Sequence, residues 1–414
     1  VLIDGVEMES NHANGGFYGP VICGRNFRRL LDAHPPYIDP LCSIAGAVMA
    51  NFSSYRTVGW NPDFDYSHLH DEQKRYSLVH GIGGSQHFCP DLAIGLTLGW
   101  SGLLDKIAYY RVENGPEAEP FYEGLEAIIL GIQDWTRRNA SEARRLAALE
   151  QSPQLRRDLE KLADINDRLV TEPPATFHEA CQWMTWYLMA ARMYNGSGAL
   201  GRLDVLLQPF YEADVAVGCL TDEEATFHIA CALLRDTTYA QLGGPDENGN
   251  DVTSRLSYLI LDAIDLLRVP ANIGVCVGPD VDPGLLQRGV EIQFEHKMGF
   301  PKFLGVGSTV QGLIKNGYPA EIARERAYSG CHWCAVPGRE YAMRDIIKIN
   351  FANIFQIALR ETVEAADDST SIDGLWQRFD FHLRRAIEVT AEGLAFHLTH
   401  MHQVFPELVL DLLC

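Results

Sequence analysis

No stretch of about 18 consecutive apolar residues occurs anywhere in the 414-residue sequence, so it offers no segment able to cross a bilayer as a helix. The apolar run Leu256 to Leu267 is broken by Ser257, Asp262 and Asp265, and no basic-then-apolar segment of the signal-peptide kind opens the chain. Positive charge is scarce: 34 Lys and Arg stand against 55 Asp and Glu, a net charge of −21. That field repels phosphate backbones and anionic membrane surfaces, which argues against a nucleic-acid or membrane partner. Low-complexity tracts, short-period repeats and linker-like segments are also missing. Cysteine is thinly spread, ten residues in a large chain (23, 42, 89, 181, 219, 231, 276, 331, 334 and 414). Disulfide scaffolds are small and cysteine-dense, so these read as reduced thiols in a cytoplasmic protein.

What is present is ordinary globular material, 47% apolar and 21% charged residues, enough to bury a large core. Residues 1–90 look irregular, rich in Gly, Pro, Asn and Asp, and helical periodicity begins near Pro90. Residues 117–170 read as helices with exposed charges. Thr176-Phe177-His178-Glu179 and Thr221-Asp222-Glu223-Glu224 both carry capping-box spacing, in which each side chain satisfies the other's orphan amide. The helix after Thr176 is apolar almost all round, which predicts burial on most sides. After residue 250 short β-prone runs (272–277 and 302–306) alternate with helical ones (283–298 and 319–328). Such alternation predicts an α/β fold with parallel strands and crossover helices, behind a helix-rich N-terminal half. The whole of 1–414 reads as one domain. The first residue is Val1, and the last, Cys414, directly follows an apolar run (408–413), so further sequence is expected at both ends.

Four motifs invite a chemical reading. Asp246-Glu247-Asn248-Gly249-Asn250-Asp251 resembles a calcium loop, but glycine falls at its fourth position and Ser257 at its twelfth. A calcium loop needs glycine at the sixth and an acid at the twelfth, so a polar turn is expected. Gly81-Ile82-Gly83-Gly84-Ser85 lacks the spacing of a phosphate loop and reads as a tight turn placing His87. His397, His400 and His402 have no acidic or cysteine partner at a familiar spacing, so no metal site is expected. Cys331-x-x-Cys334 is preceded by a helical run and bracketed by Gly330 and Pro337-Gly338. A second CxxC is missing, which weakens structural zinc, and a redox pair should open a helix, not follow one. A glycine-flanked loop presenting a thiol remains, and such loops commonly carry function.

These and other segments, in order, resemble the glycyl radical enzymes of the pyruvate formate-lyase superfamily. Pro36-Tyr37-Ile38-Asp39-Pro40 and Ile44-Ala45-Gly46 resemble an early family segment. His87-Phe88-Cys89-Pro90-Asp91 with Gly99-Trp100-Ser101-Gly102 is similar to the next, and Pro173-Pro174-Ala175-Thr176-Phe177-His178-Glu179-Ala180 to a third. Gly201-Arg202-Leu203-Asp204, Pro209-Phe210-Tyr211 and Leu220-Thr221 follow in the family's order. Leu256 to Leu261 and Pro270-Ala271-Asn272 match its strand region, and Gly330-Cys331, Gly338-Arg339 and Ile349-Asn350 its cysteine-loop block.

The resemblance implies part of a ten-stranded α/β barrel in which a cysteine loop meets a glycine loop. A radical S-adenosylmethionine activating enzyme would place a radical on that glycine, and Cys331 would become the thiyl that takes hydrogen from a small-molecule substrate. A homodimer is implied, with no bound cofactor or metal. Two departures stand out. The family's "RVxGY" glycine loop is absent; Gly317-Tyr318 precedes the cysteine loop and lacks the Arg-Val. The chain is therefore expected to be a fragment, its radical glycine outside these residues and the piece inactive alone. Where many family members carry a glutamate two residues after the cysteine, this chain has Trp333. Elimination would then need another base such as His332, and the larger, apolar indole shifts weight toward C–C chemistry. Cys334 has no assigned role beyond packing. Arg339 would either bind a substrate carboxylate bidentately or anchor the loop in an ion pair. The competing expectation is a non-catalytic metal- or redox-binding protein that uses Cys331 and Cys334 on the same scaffold.

Overall fold

The structure, a computed structural model, describes residues 3, 5–55, 61–65, 67–78, 88–196, 198–330, 334–340, 348–365, 370–401 and 404–414. The first six helices are α1 (Pro20–Ala33), α2 (Ser67–Tyr76), α3 (Leu92–Asn114), α4 (Glu119–Leu149), α5 (Pro153–Leu169) and α6 (Phe177–Asn195). Strand and helix then alternate: β1 (Ala199–Arg202), α7 (Leu203–Ala216), α8 (Asp222–Arg235), β2 (Tyr239–Leu242), α9 (Arg255–Leu267), β3 (Ile273–Val277), α10 (Pro283–His296) and β4 (Lys302–Gly305). Helices α11 (Val306–Lys315) and α12 (Ala320–Glu325) lead to β5 (Ala327–Tyr328) and β6 (Cys334–Ala335), followed by α13 (Phe351–Glu364), α14 (Ile372–Met401) and α15 (Leu408–Asp411). The chain divides into two compact units, one of Val1–Arg56, Gln86–Ala342 and Leu408–Cys414, the other of Thr57–Ser85 and Met343–Glu407.

In the larger unit both sequence-marked caps form. Thr176 Oγ1 accepts from the Glu179 amide at 3.3 Å. The Glu179 carboxylate accepts from the amides of Ala175 (2.8 Å) and Thr176 (3.0 Å) and from Arg168 of α5 (2.7 and 2.8 Å). Thr221 and Glu224 repeat the box at the start of α8. As its composition predicts, α6 is buried on nearly every side. Trp186 packs edge-on to Trp135 of α4 with ring centroids 4.6 Å apart, and Trp183 lies 4.7 Å from Trp100 of α3. Helix α3 is interrupted at Gly99, whose φ of 61° is left-handed. A Cβ there would stand 2.8 Å from the Pro173 nitrogen, so glycine is what lets the Pro173-Pro174 approach to α6 pass so close.

The four strands β1–β4 form one parallel sheet in sequence order, as strand–helix alternation predicts, each adjacent pair joined through helices. Ala240, Leu242, Ile273 and Val275 enter the main hydrophobic core. Strand alternation turns Tyr239, Gln241, Gly274 and Cys276 to the opposite face. Strands β5 and β6 make a separate antiparallel pair that packs on β1 and β2. Among the described residues the sheet does not close on itself.

Local readings diverge from the structure in three places. Residues 20–33, inside the stretch that looks irregular, are the amphipathic helix α1, opened by Pro20 at its first turn and carrying seven buried residues. Leu256 to Leu261, matched to a strand region, lies in α9, whose buried Leu256, Leu259, Ile260, Ala263 and Ile264 follow a helical period. The expected helix over 319–328 ends at Glu325, because Arg326 turns to extended backbone (φ −49°, ψ 142°) and the chain enters β5.

The smaller unit is helical. Its core joins Tyr76 and Leu78 to Ile354 of α13 and to Ala386 and Val389 of α14. Tyr76 Oη lies 3.0 Å from His382 Nδ1, whose Nε2 is 2.7 Å from Glu361, and Arg385 pairs with Glu72.

Candidate active site

The cysteine motif is built into the β5–β6 hairpin. Ala327 pairs with Ala335 and Tyr328 with Cys334, so the five residues 329–333 join the two paired arms. Ser329 is wholly buried. The residues expected to carry the chemistry, Cys331, His332 and Trp333, lie outside the described residues. Small side chains let the hairpin lie close on the sheet: Ala327 and Ala335 pack with Cys89 and Ala199. Tyr328 stands edge-on to Tyr239 with centroids 5.3 Å apart, and Lys302 Nζ lies 5.8 Å over its ring. A Cβ on Gly274 would come within 3.1 Å of Tyr328.

Polar contacts fix the hairpin in register. Gln241 Oε1, from β2, accepts from the Tyr328 amide at 3.2 Å and from Arg326 Nη1 at 3.0 Å. Beyond β6, the Gly338 amide donates to the Cys89 carbonyl at 2.8 Å, and the Val336 amide to the Glu340 carboxylate at 2.7 Å. Tyr318 Oη donates to the same carboxylate. Asp91 N in turn donates to the Leu413 carbonyl at 3.0 Å, so the 88–91 segment connects the hairpin exit to the chain end. Burial raises the Cys89 thiol well above its ordinary pKa and pushes Cys276 up to about 11. Both thiols beside the hairpin are therefore held protonated at neutral pH.

At the carboxyl end of β1, Asp204 is buried and accepts from Ser257 Oγ (2.6 Å), the Gly243 amide (2.7 Å) and the Val205 amide (2.9 Å). Burial raises its pKa against those three bonds. Arg202, the last residue of β1, donates to the Pro245 carbonyl at 2.7 Å. Cys334, in β6, is half-buried. Arg339 has a side chain 58% exposed and lies 3.6 Å from Glu325, which ties the turn after the hairpin to α12. Arg202 entered the sequence reading only as part of a motif and Cys276 only in the cysteine count, while Gln241 and Arg326 were missed. Their role depends on strand register, which local pattern does not encode.

The other motifs resolve locally. Asp246 accepts from the amides of Asn248 (2.9 Å) and Asn250 (2.8 Å) and from the Asn250 side chain (3.1 Å); it is a self-bonded polar turn. His400 stacks on Phe64 with centroids 3.7 Å apart. The Gly81–Ser85 turn, His87 and His402 lie outside the described residues, as does the side chain of His397. Asp265, Glu295 and His296 come together on α9 and α10, where Arg288 already pairs with Asp265 at 2.7 Å.

Sequence reasoning also missed a cleft of about 360 Å³ lined by Cys42, Ser43, Asp158, Lys161, His178, Glu224 and His228, among others. The rings of His178 and His228 stack 4.0 Å apart, 16° from parallel. His178 Nε2 donates to the Ser43 carbonyl at 2.6 Å, and His228 Nδ1 is 2.9 Å from Ser43 Oγ. Burial drives His178 down to about 4 and His228 to about 2, with Lys161 adding repulsion to both and His178 to His228. Close by, the hydrogen bond between Cys42 and Cys231 holds the Cys231 thiol below the range of a free thiol and raises that of Cys42, and the Ser43 amide, donating to Cys231 Sγ at 3.4 Å, adds to the lowering.

Comparison with known proteins bears on the family and the fold. The profile of the pyruvate formate lyase-like family matches residues 72–414. An isethionate sulfite-lyase of Nitratidesulfovibrio vulgaris is 27% identical over 274 residues, 59% of this chain and 32% of that protein. A (2S)-3-sulfopropanediol dehydratase of Klebsiella oxytoca is 24% identical over 68% of this chain and 38% of its own length. A solved structure from Roseburia inulinivorans, described for 1,2-propanediol dehydration, superposes with a TM-score of 0.85 at 18% identity, covering 97% of this chain and 61% of that one. The chain thus spans about a third of the length of these curated relatives, and the fold is part of the α/β barrel of glycyl radical enzymes. Among the described residues, no helix is long and apolar enough to cross a membrane.

Proposed function

Because the chain belongs to the pyruvate formate lyase-like family, we propose that it is the cysteine-hairpin portion of a glycyl radical lyase acting on a small organic substrate. The observation that carries the reading is the β5–β6 hairpin. It is anchored through Gln241 and Cys89 on the face of the parallel sheet turned away from the main core, with residues 329–333 between its paired arms. In this reading Cys331 is the hydrogen-abstracting residue. A stored glycyl radical, installed by a radical S-adenosylmethionine enzyme on a glycine outside these 414 residues, supplies the hydrogen-atom abstraction that converts its thiol to a thiyl. Cys331 then takes hydrogen from a substrate carbon, a C–C or C–heteroatom bond of the substrate radical breaks, and the product radical recovers its hydrogen from the Cys331 thiol. S–H and activated C–H bonds are comparable in strength, so both transfers are close to balanced.

His332 is the proton acceptor adjacent to Cys331 in sequence, and Trp333 supplies an apolar wall where a carboxylate base would otherwise stand. The thiols of Cys89 and Cys276 beside the hairpin are buried and protonated, and such burial is of the kind that keeps water away from reactive intermediates. Similarity to a sulfite-lyase and a dehydratase supports removal of a group from a short substrate. The protein is proposed to work as a cytoplasmic homodimer. The full-length protein, incubated anaerobically with its activating enzyme, is expected to give a glycyl doublet in electron paramagnetic resonance that oxygen destroys. An unchanged, silent spectrum alongside a competent activating enzyme counts against the reading.

A further inference from the structure

Four buried polar groups beside the hairpin are left without partners. Arg326 is 2% exposed; its Nη1 bonds Gln241, but its Nε has no hydrogen-bond partner. The Nε of Arg202, the Nε2 of Gln241 and the Oγ of Ser329 are likewise buried and unpartnered. Gln241 is 1% exposed and Ser329 wholly enclosed. No carboxylate among the described residues pairs with either arginine. Asp204, the acid acting most strongly on Arg202, already accepts from Ser257, Gly243 and Val205.

These groups belong to one neighbourhood. Arg326 and the Tyr328 amide share Gln241 Oε1, and Ser329 follows Tyr328 directly. Both guanidinium groups act on the Cys276 thiol, and Arg326 acts on Arg202. A Cβ on Gly244 would lie 2.8 Å from Cys276 Sγ and 3.7 Å from Gln241 Nε2, which sets the Gln241 amide beside the loop following β2. The cluster therefore sits at the carboxyl ends of parallel strands, where open α/β sheets place their ligands.

The energetics ask for an anion. Each buried donor left unpaired costs about 1–3 kcal/mol, and an uncompensated buried charge costs more. A neutral polyol or a water molecule could satisfy the hydrogen bonds but adds no charge: Asp204 and, more weakly, Asp246 act on Arg202, and no acid pairs with the second guanidinium among the described residues. A carboxylate or a sulfonate answers both needs, because a planar guanidinium offers it parallel N–H donors.

Resting on the lyase reading above, we infer that Arg326 and Arg202, with Gln241 and Ser329, hold the anionic group of a small carboxylated or sulfonated substrate beside the cysteine hairpin. Arg326 lies five residues before Cys331, so the hairpin that bears the hydrogen-abstracting thiol also carries the principal anion-binding side chain. Specificity then follows from charge: a short organic acid is retained, and a neutral diol of the same size is not.

The test is titration calorimetry on the full-length protein with three probes, isethionate, lactate and 1,2-propanediol. Saturable binding of isethionate, lactate or both is expected, weakened about tenfold or more in Arg326→Gln and less in Arg326→Lys, with the diol binding neither variant nor wild type. The two acids tell a sulfonate site from a carboxylate site. Because Arg326→Gln removes a buried contact, thermal unfolding of the wild type is read in parallel: the acids should raise its midpoint and the diol should not. Diol binding that matches or exceeds the acids, or acid binding unchanged in a folded Arg326→Gln, overturns the inference. An activated enzyme that consumes the diol while ignoring both acids leaves the lyase reading standing and removes the anion site. Acid binding that depends on Arg326 in a protein that never acquires a glycyl radical does the reverse.

Discussion

At His178 and His228 two imidazole planes stack within a cleft whose other ionisable lining residues are Cys42, Asp158, Lys161 and Glu224. Both rings are neutral because burial makes the charged form costly, and their pKa values fall to about 4 and about 2. In the unfolded chain each titrates near 6.5, so below that pH the unfolded state binds more protons than the folded one. Stability is therefore fully present above about pH 7 and is lost as the pH falls, at up to about 1.4 kcal/mol per pH unit for each ring. Lowering the pH from 7 to 5.5 is expected to cost the larger unit on the order of 2 kcal/mol from this pair, measured by urea denaturation. His228→Gln should roughly halve that dependence, whatever it does to stability at pH 7. An identical pH dependence in wild type and variant would show that the pair does not titrate as described. None of this was visible in the sequence, because Ser43, His178 and His228 meet only through contacts 135 and 185 residues apart.

Among the elements, the junction of α5 and α6 separates two kinds of stabilisation that the sequence presents as one motif. Thr176→Ala removes a single cap acceptor and should cost about 1 kcal/mol. Glu179→Ala also removes the two bonds from Arg168, which keeps Glu172, and leaves the Ala175 amide without its acceptor, and should cost roughly 2–3 kcal/mol. Equal losses in chemical denaturation, or the opposite order, would contradict the geometry. The capping boxes at Thr176 and Thr221 were legible because their residues lie three apart and act within one turn. The strands β3 and β4 were legible from β-prone runs set between helices. Strands β1 and β2, four residues each and beginning or continuing through Ala, Gly or Gln, carry no such signal; their pairing partners lie some forty residues away. Helix α12 was drawn three residues too long because Arg326, Ala327 and Tyr328 have acceptable helix propensity. Their extended backbone is set by pairing with Ala335 and Cys334, a tertiary constraint that overrides propensity.

For the molecule as a whole the net charge is −21, while the cations Arg202, Arg326 and Lys302 lie around the β5–β6 hairpin where it packs on the sheet. The family and its fold were legible because short motifs recur in a fixed order, each with a local reason: Gly99 for the backbone approach of Pro173, the capping box for α6, Asp204 for the loop after β2. The polar cluster at Gln241 was not legible, since Gln241, Arg326 and Tyr328 are brought together across 85 and 87 residues by sheet register.

The central claim is that Cys331 is the hydrogen-abstracting residue. Its most direct test compares the activated full-length protein with its Cys331→Ser variant, following the glycyl radical by electron paramagnetic resonance and substrate loss in the same anaerobic sample. The account predicts that Cys331→Ser acquires the glycyl doublet to an extent similar to wild type and consumes no substrate. Substrate consumption by Cys331→Ser at the wild-type rate would contradict it.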